Sequence, residues 1–336
     1  MSRFARNVIG AVISVLVVAL VPIAAAVLAA ETPKVRLASD TWPPFTSEAG
    51  ETRLAIDLVH KALERAGFVA DTTVVEWTDV TAGLRNGRFD GSAAIWHSAE
   101  RETFLLFSEP YLENRLVLVG NKGSDVSATS LSDLAGKRVA VVEQYAYGDS
   151  VEATEGPVFI EGPSDQHNLQ KLLAGEVEYM LVDELLIRYL VEHQQEEAAR
   201  LLQFGDSPLV RRALHLAVRR ELPDADSLIE KFNAEIHEML TDGTYNVILR
   251  LDWIRADVDG DGRPEFVARD TQAGQAAPTE GYSIISTIPP ESSVKLDGGY
   301  FIGGRVYESW EAVPERYKEP PPTTTPQKPP PALLRF

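Results

Sequence analysis

Residues 89–111, FDGSAAIWHSAERETFLLFSEPY, are the densest run of chemically informative side chains in the chain. The apolar stretch through Ile95 and Trp96 reads as a short strand, Ser98-Ala99-Glu100-Arg101 as the opening of a helix, and Ser108-Glu109-Pro110-Tyr111 as an aromatic-flanked turn. An arginine at the start of a helix, directly after a buried strand, is placed to clamp a carboxylate through two parallel N–H bonds. Ser98 stands where a helix N-cap or an anion-facing hydroxyl belongs. Taken alone, Arg101 reads as a solvated surface arginine, so its setting has to decide.

That setting is an alternation of strands and helices. Upstream, VRLAS (35–39) reads as a strand, and Leu54 to Gly67 places Leu58, Val59, Ala62, Leu63 and Ala66 at helical spacing before a glycine stop. A strand over Val69 to Trp77 and a helix ending in LRNG precede the quoted stretch. After Lys122 the pattern restarts: a short helix over Leu131 to Gly136, the strand KRVAVVE, a helix near Tyr147 to Val151, the strand PVFIEG, a helix around Leu169 to Ala174 and the strand VEYMLVD. RALHLAVRR (212–220) adds a strand, and Asp226 to Leu251 reads as one long helix with Leu228, Ile229, Phe232, Ile236, Met239 and Leu240 on one face. Such alternation predicts an α/β fold with parallel sheets covered on both faces, built as two similar units.

Both ends of the chain differ from this middle. Residues 1–30 hold Arg3 and Arg6, then an uncharged apolar run from Val8 to Leu28 that ends in small residues, the pattern of a signal peptide cut after Ala29. Retained, a run of that length would be a membrane anchor; Pro22 and the small-residue end favour cleavage and export to the periplasm. Residues 254–270 are an acidic loop, 271–280 a polar linker with weak strand patterns after it to 318, and 319–336 a proline-rich tail expected to be extended. The sequence has no cysteine, which removes disulfides, thiol catalysis and thiolate metal sites. The net charge is −18, and Arg3 and Arg6 are the only charges in residues 1–30, so the remainder is still more acidic. Such a surface excludes nucleic acid as a partner.

From Val35 to Leu251 the chain resembles the family 3 extracellular solute-binding proteins of amino-acid import systems. Trp42-Pro43-Pro44-Phe45 is similar to that family's loop after the first strand, Ala55-Ile56-Asp57-Leu58 to its first helix, and Gly87-Arg88-Phe89-Asp90 to the turn before its binding strand. Ser98-Ala99-Glu100-Arg101 resembles Thr-Pro-Glu-Arg, and Phe107-Ser108-Glu109-Pro110-Tyr111 resembles Phe-Ser-x-Pro-Tyr. Gly175-Glu176-Val177-Glu178 with Asp183, and later Gly243-Thr244-Tyr245, complete the series in order. The resemblance implies a type II periplasmic binding protein fold: two α/β lobes joined by two hinge strands, with a small C-terminal extension. Lobe one would be 35–120 plus 213–253, and lobe two 121–212. It further implies that Arg101 holds a ligand α-carboxylate and Asp183 an α-ammonium, with Trp42, Phe45 and Trp77 lining the side-chain pocket. Core packing is the alternative reading of Phe45 and Trp77.

The chain departs from that pattern at three places. Asp90 to Arg101 is one residue short, Trp96 and His97 replace small or hydroxyl residues, and Gln144-Tyr145-Ala146-Tyr147 replaces a small anion contact. Tyr145 and Tyr147 would shrink the cleft or favour a flat or apolar ligand, and Trp96 and Tyr145 join the candidate ligand contacts.

A second motif, Asp257-Val-Asp259-Gly-Asp261-Gly262-Arg-Pro-Glu265, sets acids at loop positions one, three, five and nine with glycine at six. That spacing suits a turn wrapping oxygen ligands around a structural calcium ion, and it resembles the calcium loops of integrin-type repeats. An acidic turn without metal is the plainer alternative. The six histidines show no metal spacing, and no nucleophile elbow or phosphate loop occurs.

The expectation is therefore a non-enzymatic, monomeric, exported protein that needs no cofactor. It would capture a small polar solute, an amino acid or a related compound, for the membrane permease subunits of an ABC importer. Two other readings stand beside it: a periplasmic enzyme on the same fold, similar to cyclohexadienyl dehydratases and using Glu143 or Glu109, and a ligand-sensing accessory module.

Overall fold

The computed structural model describes residues 32–148, 156–268, 282–283 and 299–318. The expected leader at 1–30, linker at 271–280 and tail at 319–336 lie outside these residues, as does most of the helix expected from Tyr147 to Val151.

The first lobe is built from β1 (Lys34–Ser39), α1 (Leu54–Arg65), β2 (Val69–Val74), α2 (Trp77–Asn86), β3 (Gly91–Trp96), α3 (Ala99–Glu102) and β4 (Leu105–Phe107). β5 (Leu112–Asn121) leads into the second lobe, which contains β6 (Arg138–Val142), β7 (Val158–Gly162), α4 (Asp165–Leu173), β8 (Tyr179–Asp183) and α5 (Glu184–Leu201). β9 (Leu202–Arg219) returns to the first lobe, closed by α6 (Ala225–Thr241) and α7 (Thr244–Leu249). Nine strands form one sheet in the order β2-β1-β3-β9-β5-β8-β6-β7, with β4 beside β9. Each lobe supplies three parallel strands, and the antiparallel pair β5–β9 lies between the two sets. Parallel neighbours require helical crossovers, so their faces are covered and their strands read apolar on both sides. β3 shows this directly, since all six of its residues are buried.

α1 forms because Leu54, Ala55, Ile56, Leu58, Val59, Ala62 and Leu63 fall on one buried face. No side chain caps its start; the carbonyls of Pro44 and Phe45 accept the N–H groups of Leu54 and Ala55 at 2.7 and 3.0 Å. The Trp42–Phe45 turn is thereby fixed to the helix beneath it. In β3, Gly91 is required by close approach, because a Cβ there would meet the Ala217 carbonyl oxygen at 2.4 Å.

The structure differs from the sequence expectation in several places. Trp77 begins α2 rather than ending a strand. The expected helix from Asp226 to Leu251 is two helices, parted where Gly243 takes a left-handed φ of 78°. The strand read at 212–220 begins at Leu202, because it pairs with β5 from Leu112↔Leu214 to Asn121↔Leu202. The chain also enters the second lobe within β5, before residue 120: Leu116 to Gly120 already pair with β8.

Beyond α7 lies a small five-stranded sheet, ordered β12-β10-β11-β13-β14: β10 (Trp253–Ala256), β11 (Glu265–Ala268), β12 (Tyr282–Ser283), β13 (Tyr300–Ile302) and β14 (Arg305–Tyr307). The acidic loop is thus a hairpin turn with a strand from Glu265, not a loop throughout 254–270. Ala268, Ile302 and Val313 form its own small core, with Trp253, Tyr300 and Trp310 packed around them. On its other side Ile254, Ala256, Val258 and Val267 belong to the main core, and the Asn246 amide donates to the Val267 carbonyl at 3.0 Å. Among the described residues no helix is long and apolar enough to cross a membrane.

Candidate functional site

The tips of the parallel strands converge between the lobes, which is where open α/β sheets present loops able to reach a ligand. From β1 come Asp40 and Trp42; from β3 come Trp96 and, one helical turn later, Arg101. Ser98 Oγ accepts the Arg101 N–H at 3.3 Å and caps α3, which aims the arginine back toward the strand. After β6 of the second lobe, Tyr145 and Tyr147 enter from the opposite side.

Tyr145 lies at the centre of a cluster of aromatic rings. Its ring centroid is 5.3 Å from Trp96, 5.8 Å from Trp42 and 5.9 Å from Trp77, each edge to face. Its hydroxyl donates to Asp40 at 2.9 Å. The Arg101 guanidinium donates to the Trp96 carbonyl at 2.7 Å and, across the lobes, to the Gln144 carbonyl at 3.2 Å. Its Cζ lies 4.9 Å from the Trp77 ring centre, a cation–π contact. Two backbone carbonyls do not replace a carboxylate partner, and burial pushes the Arg101 pKa down to about 10. The chamber walled by Asp40, Trp42, Trp77, Trp96, Arg101 and Tyr145 has a volume of about 20 Å³, room for about one water molecule.

A larger cleft of about 330 Å³ adjoins it and shares Asp40, Trp42, Trp77 and Tyr145. Its remaining wall includes Glu76 from the first lobe and Ser164, Asp165 and Gln166 at the start of α4 in the second. Burial pushes the Asp40 carboxyl up to about 6, against the Tyr145 hydrogen bond and the nearby Arg101 charge. Asp165 is pushed up to about 7 by burial and by the negative neighbours Asp40 and Asp183, although Trp42 donates a hydrogen bond to it. Acids on opposite lobes thus face each other across an aromatic-lined opening, an arrangement a cation would relieve.

The positions read from the sequence fall into distinct groups. Arg101, Trp42, Trp77, Trp96 and Tyr145 are brought together around the chamber. Phe45 is fully buried with its ring 4.4 Å from that of Trp42, so it supports the wall from behind. Ser98 is turned to its own helix. Asp183 is 2% exposed and its oxygens are occupied within the protein: Oδ2 accepts from the Asn114 amide and the Arg115 N–H, both at 3.0 Å, and Oδ1 from the Leu185 N–H at 2.7 Å. It joins α5 to β5 and lies outside both cavity walls, where Asp40 and Asp165 take the acidic positions. Burial pushes its pKa up to about 7. Asp257, Asp259, Asp261 and Glu265 come together far along the chain, each with an oxygen within 4.8 Å of the others.

Sequence reasoning missed Asp40, Asp165 and Asn114. The usable trace was positional: Asp40 follows the first strand of one lobe, and Asp165 stands at the first helical position after a strand of the other. Asn114 links the lobes, accepting from the Trp96 indole at 2.7 Å while donating to Asp183.

Comparison with known proteins places this geometry in context. Residues 35–254 match the sequence model of the "Bacterial extracellular solute-binding proteins, family 3". Among curated proteins, a "Probable amino-acid ABC transporter-binding protein" of Haemophilus influenzae is 27% identical over 223 residues, covering 65% of this chain and 83% of that protein. The L-cystine-binding protein TcyJ of Escherichia coli K12 is 25% identical over 226 residues, covering 65% and 81%. Among solved structures, an ancestral arginine-binding protein bound to arginine superposes with a TM-score of 0.55 at 26% identity, covering 65% of this chain and 96% of that one. The ligand-binding core of GluR0 from Nostoc punctiforme, with a TM-score of 0.53 at 18% identity, shares the fold.

Proposed function

Since the chain belongs to the bacterial extracellular solute-binding proteins of family 3, we propose that it captures a cationic amino acid between its lobes and passes it to the membrane subunits of an ABC importer. The observation that carries the ligand class is the cleft wall, where Asp40, Glu76 and Asp165 accompany the rings of Trp42, Trp77 and Tyr145 and the guanidinium of Arg101 adjoins them. Arg101 offers two N–H groups to a carboxylate, which would replace its present carbonyl partners. Asp165, coming from the other lobe, offers the matching acid to an ammonium or guanidinium. A ligand with one negative and two positive groups satisfies both ends only when the lobes close, so binding and closure are one event. The relatives named as amino-acid, cystine and arginine binders support this reading, and so does a cleft at the small end of the usual size range for small-molecule pockets. The protein would act without catalysis, as an exported monomer whose leader at 1–30 is removed.

The test is calorimetric titration of the purified protein with L-arginine, L-lysine, L-cystine, L-glutamate, L-leucine and agmatine. The expected order puts arginine or lysine first, agmatine well below arginine because it lacks the carboxylate, and glutamate last. Arg101→Ala and Asp165→Asn should each weaken the best ligand about 30-fold or more, the effect of removing one partner of a buried charged hydrogen bond. Glutamate or leucine binding more tightly than arginine and lysine would refute the cationic assignment.

A further inference from the structure

We propose that the hairpin turn between β10 and β11 is a calcium site, formed by Asp257, Asp259, Asp261 and Glu265, which steadies the hairpin on which the C-terminal sheet is built. The four carboxylates lie on nine consecutive residues, and an oxygen of each is within 4.8 Å of the others. Proximity among exposed acids would carry little by itself. The decisive group is Glu265, whose side chain is inaccessible to solvent. Its Oε2 accepts the Val258 N–H at 2.9 Å, its Oε1 is buried with no hydrogen-bond partner, and one of its two oxygens lies within 4.8 Å of an oxygen of each aspartate. An unpaired carboxylate oxygen is costly to bury unless a cation or proton meets it.

The donor set selects the ion. All four side-chain ligands are hard oxygens, and histidine and cysteine take no part, which disfavours zinc and the later transition metals. Gly260 and Gly262 take left-handed φ values of 78° and 84°, so the loop curls tightly and carries three aspartates to one side. Such a loop is irregular and adaptable, and calcium accepts six to eight oxygens in varied geometry where magnesium requires a near-ideal octahedron.

The position gives the ion a structural role. Glu265 is the first residue of β11 and pairs with Ala256 of β10, and β11 in turn pairs with β13 through Phe266↔Tyr300. Everything in the C-terminal sheet beyond the hairpin rests on β11 or β10. Cancelling the repulsion at this turn therefore stabilises the strand that holds β13 and β14.

The experiment starts from purified protein stripped with EDTA, then titrated with calcium chloride and, separately, with magnesium chloride. Heat of binding, Tm and hydrogen exchange at Tyr300–Ile302 are followed. The expected result is one calcium per chain, a Tm rise of a few degrees at a hundredfold excess over Kd, slowed exchange in β13, and weaker binding of magnesium. Asp259→Asn changes an exposed side chain and should leave the fold intact while weakening calcium at least tenfold; Glu265→Gln should do the same or more. The amino-acid titration should be unchanged in Asp259→Asn, which separates this site from the cleft. Absence of calcium-dependent heat and Tm shift in the folded wild type, or wild-type calcium affinity in Asp259→Asn, would overturn the assignment.

Discussion

Asp40 and Asp165 show how a pair of side chains gives the cleft a pH response. In the folded protein they keep their protons up to about 6 and about 7, whereas the unfolded chain releases them near 3.8. Between those values the folded state holds protons that the unfolded state has lost, so their contribution to stability falls as pH rises from about 4 to 7 and is fully lost above that. Without added amino acid, Asp165→Asn should flatten the decline in stability measured by urea unfolding at pH 5 and pH 8. An unchanged difference between the two pH values would show that Asp165 is not the group responsible. A cationic ligand reverses the trend, because ionised acids bind it better, and its affinity should climb through the same interval. Neither acid was legible as a site in the sequence. They lie 125 positions apart with ordinary neighbours, and only the convergence of strand tips from two lobes makes them a pair. Arg101 was singled out by the resemblance of Ser98-Ala99-Glu100-Arg101 to a family motif, and the structure buries it beside Trp96 and Gln144. Asp183 matched the family pattern, yet its oxygens are taken up by Asn114, Arg115 and Leu185, which sequence spacing does not reveal.

Elements were legible where burial is one-sided and continuous. The repeat in α1 survives into the structure because every apolar position on that face is buried. α5 and the first half of β9 carried little trace: HQQEEAAR is polar, and Leu202 to Val210 contains Gly205 and Pro208 and is mostly half-buried. The break between α6 and α7 was hidden because apolar residues continue on both sides of Gly243. Strand β3 gives the sharpest expectation at this scale. Gly91→Ala would drive a Cβ to 2.4 Å from the Ala217 carbonyl oxygen, and neither neighbouring backbone can yield without opening the β3–β9 pairing. A loss of about 1–3 kcal/mol is expected, the usual cost of overpacking, visible as a lower urea midpoint with an unchanged slope. A stability equal to wild type would mean that β3 and β9 are less tightly matched than described. Because β3 positions Trp96 and leads into Arg101, ligand affinity should fall in the same variant.

Across the whole molecule, closure joins surfaces that are far apart in the sequence. Tyr145 of the second lobe reaches Trp42, Trp77, Trp96 and Asp40 of the first, and Arg101 answers with a bond to Gln144. Tyr145→Ala removes the contacts with Trp42, Trp77 and Trp96 at once and leaves only the Trp96–Tyr147 pair, 5.4 Å between ring centres, among the ring contacts described between the lobes. Without added ligand its radius of gyration by X-ray scattering should exceed that of wild type, and its Tm should drop by a few degrees. Equal radii would show that these rings do not hold the lobes together. The two-lobed plan was readable because the strand–helix alternation restarts after Lys122, whereas the C-terminal sheet was only faintly so, its strands being two to four residues long. The hinge has a mechanical consequence of its own. β5 and β9 are neighbours in a single hydrogen-bonded sheet, with irregular register between Leu116 and Val119. Sliding one strand along the other would break the whole ladder, while flexing at the irregular step breaks almost none of it. The pair is therefore built like a leaf spring, stiff against shear and compliant to bending, so relative motion of the lobes would be a bend about this step and not a slide of one strand along the other.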